Sequence, residues 1–309
     1  MNVIKKIISV FQKNTTNRII QAFNKSPMRF LTKTLSICKS PHVYLKRNRL
    51  AKSVVLTPQE QEIVSSLNQY GYAEVTSLLS VEKVKVLSDY CLDKMQRSEE
   101  IKAREILKTK NFWTVLSDED IADKNLTADN PLVSFALQVP VLRIVSAYLK
   151  QVPFIEYVML TLSKYTGEPL KSSQLWHLDY DNTSMVKLFV YLTDVNSVEP
   201  GPFTFFDAVT SKNIKNSFIT RHLPDNEVFG YVEKTSIRQM TRPKLSCFMV
   251  DTTRCYHMGS RLQEGHQRLM YTALYTGLPP IYYWSGREKY QPTPNLESLQ
   301  LWALKVKPS

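Results

Sequence analysis

A chain of 309 residues can bury a large core, and it is expected to form one main domain behind a separate N-terminal extension. Its formal charge of +12 would suit nucleic acid or an anionic membrane; because residues 1–59 hold 12 Lys or Arg and no acid, leaving 28 of each sign elsewhere, no nucleic-acid partner is expected. Cys38, Cys91, Cys247 and Cys255 include no close-spaced pair, which argues against a disulfide framework or a zinc knuckle and agrees with a reducing compartment.

The extension, residues 1–56, comes first. Val3, Ile4, Ile7, Ile8 and Phe11 fall on one helical face with Lys5, Lys6 and Lys13 around it, and Ile19, Ile20 and Phe23 continue the apolar side. That pattern fits an amphipathic helix lying in an anionic membrane interface. An organellar transit peptide and a plain docking helix are the alternatives. Charges interrupt every apolar stretch, so neither a transmembrane helix nor a secretory signal is expected. The location that follows is cytoplasmic with peripheral membrane contact, or an organelle if the extension is a transit peptide.

Downstream, residues 57–70, 80–96 and 130–149 space their apolar positions three and four apart, which predicts helices packing one face on a sheet. Thr57-Pro58 and Asn130-Pro131 read as helix starts, Ser80 as a third cap, and Pro140 as a break. Residues 71–75 read as a short strand between two of these helices. From there the pattern turns to β: 154–165, 174–180, 185–195, 203–209, 245–252, 255–260 and 268–276 are short Val/Leu/Phe/Tyr/Thr-rich segments punctuated by Gly, Pro, Asn, Asp and Ser. The fold class is therefore mainly β with flanking helices, with a jelly-roll core inside a domain spanning 57–285 and a tail over 286–309. Residues 210–243 interrupt the strands and are expected to form an insertion over the site, with a short helix around 225–232. Lys187, Phe189 and Tyr191 share a strand face and are candidates to line a cavity.

Within these strands the chemistry-bearing residues are His177, Asp179, His257 and Arg268. A His-x-Asp pair on a strand puts imidazole and carboxylate on one face, and His257 completes a two-histidine, one-carboxylate set of the kind that holds Fe(II) with positions left open. Those positions suit a keto acid and O2. Arg268, 11 residues after His257, is the candidate clamp for the far carboxylate of 2-oxoglutarate, since a guanidinium meets a carboxylate through two charge-assisted hydrogen bonds.

Taken together, Trp176-His177-Leu178-Asp179, residues 187–194, Gly201-Pro202-Phe203, residues 251–261 and Arg268 give a chain that resembles the phytanoyl-CoA dioxygenase family over roughly residues 60–280. The resemblance implies a double-stranded β-helix, a cofactor set of Fe(II), 2-oxoglutarate and O2, and hydroxylation of a small-molecule, acyl or lipid-linked substrate with release of succinate and CO2. Family members often carry Ser or Thr two residues after the distal histidine, where this chain has Gly259 followed by Ser260. Gln174 and Ser163 are candidates to supply the co-substrate contact instead. Two other readings stay open: a non-catalytic jelly-roll binding protein attached to a membrane, and a cupin-type iron enzyme that uses no keto acid.

Overall fold

The computed structural model describes residues 29–39, 41–100, 112–116, 126–180, 182–215, 222–259, 261–277 and 290–304. The apolar face expected at residues 3–23, Ser260 and part of the insertion lie outside the described residues.

Six strands form one antiparallel sheet in the order β1 (Tyr72–Glu74), β7 (Cys247–Val250), β4 (Met185–Tyr191), β9 (Gln267–Thr276), β3 (Phe154–Lys164), β2 (Trp113–Val115). A smaller sheet has the order β6 (Arg238–Gln239), β5 (Thr204–Phe205), β8 (His257–Met258), and a single antiparallel bridge between His177 and His257 extends it. Two antiparallel sheets with flanking helices make the jelly roll that the strand spacing predicts.

Alternation along the large sheet separates two cores. Outward go Val158, Leu160 and Leu162 from β3, Val186, Leu188 and Val190 from β4, and Leu269, Tyr271, Ala273 and Tyr275 from β9, into a core shared with the helices. Inward, Phe189, Tyr191, Phe248 and Val250 meet Phe203 and Phe205 of the smaller sheet. A third cluster, with Trp176, Phe206, Leu223, Val228 and Tyr256, packs around the residues next to the two histidines.

The outer face is covered by α3 (Pro58–Tyr70), α4 (Val81–Gln96), α5 (Pro131–Ala136) and α6 (Val139–Leu149). Thr57 caps α3 in a reciprocal box with Glu60, and Glu60 also accepts from Arg143 Nη2 at 2.6 Å, tying α3 to α6. Ser80 caps α4 and Asn130 caps α5. The expected break in 130–149 falls at Leu137–Gln138, because Pro140, which has no N–H to donate, sits in the first turn of α6, where none is needed. Tyr271 and Tyr275 reach across from β9 and donate to Leu132 O and Ala136 O at 2.6 and 2.8 Å.

Two flanking segments pack onto this body. Ahead of it lie α1 (Arg29–Lys39) and α2 (Pro41–Lys52), and α2 inserts Arg47 against the start of β3. Its Nε donates to Val152 O at 2.8 Å and its Nη2 to Pro153 O at 2.5 Å, while the guanidinium lies 3.5 Å from the centre of the Phe154 ring. At the other end α9 (Ser298–Leu304) packs on α6 and β3, and the buried Tyr290 accepts from Val158 N.

Several strands are shorter than their sequence patterns suggest. The 203–209 segment stops at Phe205 because Asp207 caps a one-turn helix, α7 (Ala208–Ser211), by accepting from Thr210 N. Residues 174–180 contribute bridges at Trp176 and His177 and no continuous strand. The insertion holds α8 (Asp225–Val228), shorter than the 225–232 expected, and then β6, which pairs with β5.

Candidate metal centre

His177 and His257 face each other across the bridge, with each backbone N–H donating to the other's carbonyl at 3.0 Å. Their rings lie 4.2 Å apart between centres. His177 Nδ1–H donates to Leu175 O at 2.8 Å, and His257 Nδ1–H to Cys255 O at 3.0 Å. With Nδ1 held by a carbonyl, each ring turns the lone pair of Nε2 toward Asp179. The His177 and His257 Nε2 atoms are 3.9 and 3.6 Å from the Asp179 carboxylate oxygens, and the ligand atoms of all three residues lie within 4.8 Å of one another.

Burial sets the charge states. It is the main cause pulling His177 down to about 3, helped by His257, and it lowers His257 as well, so both rings are neutral ligands near pH 7. Burial alone would raise Asp179, but the Lys187 ammonium 2.7 Å away and the two imidazoles outweigh it and hold the carboxyl well below the usual carboxylate range. Two neutral imidazoles and one carboxylate, converging at the wall of a cavity, fit a divalent first-row metal with coordination positions left over.

That cavity, of about 290 Å³, lies between the sheets. Its floor is the inner face of the large sheet: Tyr157, Met159 and Thr161 from β3, Arg268, Met270 and Thr272 from β9, Lys187 and Phe189 from β4. Phe203, stacked 5.5 Å from His257, and His222, 5.2 Å from His177, close other sides.

Arg268 is 1 % exposed and lines the same cavity, so the structure brings together all four residues singled out from the sequence. One of its Nη atoms donates to Gly201 O, and burial lowers its pKa from the usual guanidinium range. Gly201 has φ +69°, and a Cβ there would meet Arg261 O at 2.9 Å, which explains glycine at this turn. Gln174 and Ser163 do not line the cavity. The Gln174 carboxamide accepts from Lys171 N, and Ser163 sits beside Arg268 in the β3–β9 register, past the end of the lined row. Lys187 and Phe189 line it as expected, while the Tyr191 hydroxyl turns into the core and accepts from Phe203 N.

Sequence reasoning missed His222, which comes from an aperiodic insert, and Asp225. The Asp225 carboxylate accepts from Trp176 Nε1 and from both Arg261 Nη atoms, each at 2.8 Å. It thereby joins the segment before His177 to the segment after His257. The Arg-Asp-Trp arrangement carries no sequence signal, since its members lie 36 and 49 residues apart.

No known family profile matches the sequence, and no curated protein matches it either. Among solved structures, the apoform of EctD from S. alaskensis aligns with a TM-score of 0.50 at 13% identity, over 72% of this chain and 77% of that chain. EctD has also been solved with bound Fe, and with 2-oxoglutarate and 5-hydroxyectoine. The chain shares the jelly-roll fold of EctD. The epimerase SnoN in complex with Fe3+, alpha ketoglutarate and nogalamycin RO aligns at 12% identity over 71% of this chain and 83% of its own, with a TM-score of 0.48. AviO1 from Streptomyces viridochromogenes Tue57 aligns at 13% identity over 72% and 96%, with a TM-score of 0.47.

Proposed function

We propose that this chain is a non-haem Fe(II) oxygenase that uses 2-oxoglutarate and O2 to hydroxylate a small-molecule, acyl or lipid-linked substrate. The observation that carries the proposal is the convergence of three buried ligands and a buried arginine on one cavity. His177, Asp179 and His257 hold the metal, and Arg268 takes the far carboxylate of the keto acid. Bound iron supplies the redox chemistry that couples decarboxylation of 2-oxoglutarate by O2, with release of succinate and CO2, to oxidation of the second substrate. The chain's own work is positioning: Phe189, Phe203 and Met270 keep water from the cavity floor, and Trp113, Tyr157 and Met159 offer an apolar wall to an apolar part of the substrate. A carboxylate at position 179, where related halogenating enzymes have a small residue, supports hydroxylation.

Membership of the phytanoyl-CoA dioxygenase family is supported by His177-x-Asp179, by the spacing of His257 and Arg268, and by Gly201-Pro202-Phe203, which presents a carbonyl to Arg268 and a ring to His257. A cytoplasmic protein resting on anionic membrane is supported by the acid-free basic extension and by Phe30, Leu31 and Leu35, all exposed on α1.

The test is anaerobic titration of the metal-free protein with Fe(II) and then 2-oxoglutarate, watching for the weak visible charge-transfer band of a chelated keto acid. The band is expected in wild type and lost in Asp179→Ala, whose fold stays intact by circular dichroism. Iron binding with no band in wild type would refute the keto-acid reading.

A further inference from the structure

Two buried hydroxyls on the cavity floor belong neither to the ligand set nor to the Arg268 contact. Thr161 and Thr272 are each 2 % exposed, line the cavity, and find no hydrogen-bond partner for Oγ1 among the described residues. Burying a hydroxyl without a partner destabilises a fold, so two of them on residues that line one cavity point to a ligand that completes their bonding as the side chains turn toward it.

Strand register says what kind of ligand. Along β9, Arg268 pairs with Ser163, Met270 with Thr161, and Thr272 with Met159 on one side and Phe189 on the other. Thr161 and Thr272 are therefore diagonal neighbours, about 7 Å apart at the backbone. One row past Thr272 comes Lys187, paired with Leu274 and bonded to Asp179. The threonines thus occupy the rows between Arg268 and Lys187, the lysine whose ammonium bonds Asp179. A molecule held by Arg268 at one end and beside Asp179 at the other would lie over them. Gly259, whose Cβ position is 4.0 Å from Arg268 Nη2, has no side chain to donate there.

We propose that Thr161 and Thr272 are binding residues for the co-substrate, donating their hydroxyls to oxygen atoms of the keto dicarboxylate that spans from the metal ligands to Arg268. The inference rests on the 2-oxoglutarate reading of this cavity and deepens it.

Full-length protein loaded with Mn(II) is titrated with 2-oxoglutarate by calorimetry without O2. Thr161→Val and Thr272→Val, which keep side-chain shape, are each expected to weaken binding by about tenfold or more, as for a lost hydrogen bond to a charged group. Thr161→Ser and Thr272→Ser should hold affinity close to wild type. Without ligand, the Val variants should melt at or above the wild-type temperature, because each removes a buried hydroxyl lacking a partner. Wild-type binding with unchanged affinity in both Val variants overturns this inference and leaves the oxygenase reading standing. Equal weakening by Val and Ser also overturns it, since shape would then be the cause. Failure of wild type to bind 2-oxoglutarate overturns both.

Discussion

Asp179 lies where burial favours the neutral acid and Lys187 favours the anion, and the nearby ammonium prevails. His177 goes the other way and stays neutral down to about 3. Between its unfolded pKa of about 6.5 and that value, the unfolded chain binds a proton that the folded chain does not. Stability of the metal-free protein should therefore fall as pH drops from about 6.5 toward 3, with the Asp179 share lost further down, as pH falls below the ordinary carboxylate range. The urea midpoint is expected to be lower at pH 5 than at pH 7.5, and His177→Gln should flatten that slope; an equal slope in the variant would remove His177 as its source. Arg268 acts on a different quantity. Its truncation to Ala should leave Fe(II) affinity unchanged and raise the 2-oxoglutarate concentration needed by about tenfold or more, measured as the half-saturation of the charge-transfer band. An unchanged requirement would remove Arg268 from the clamp.

Elements with strong local causes were legible in the sequence: the capped helices at Thr57, Ser80 and Asn130, and the long strands β3 and β9, which are 11 and 10 residues of mostly apolar, aromatic and β-branched side chains. The smaller sheet was not legible as it stands, because β5, β6 and β8 are two residues each and depend on tertiary bonds such as those of Asp225. In the site, His177, Asp179, His257 and Arg268 stood out because that combination has few structural uses. Gln174 carries a less specific signal, since a carboxamide beside a turn bonds readily to nearby backbone, here Lys171 N. Helix α2 shows the same limit: a basic segment reads as an exposed arm until Arg47 is seen buried under carbonyls and a ring. Burial pulls that guanidinium down to about 9, so its hydrogen bonds offset a real desolvation cost. Arg47→Ala is expected to lower unfolding stability by about 2–4 kcal/mol in denaturant titration, from lost bonds and lost packing. A change under about 0.5 kcal/mol would mean that α2 docks without it.

Over the whole molecule the basic excess is confined to the extension, and α2 fastens the end of that extension to the jelly-roll body. Removing residues 1–40, which takes away α1 and leaves α2 docked, should therefore spare the fold and cut sedimentation with phosphatidylserine vesicles, with decarboxylation little changed. Unaltered vesicle binding would end the membrane reading. The backbone pairing of His177 with His257 has a consequence for the order of folding. The two partners are 80 residues apart, and one mutual pair of hydrogen bonds brings them together. Closing so long a loop is entropically slow, so this contact belongs to the late stages of chain collapse. Before it forms, a nascent chain offers a metal only His177 and Asp179, a two-point hold that is readily lost. Metal uptake should then track completion of the native topology, and metal should act mainly by slowing unfolding.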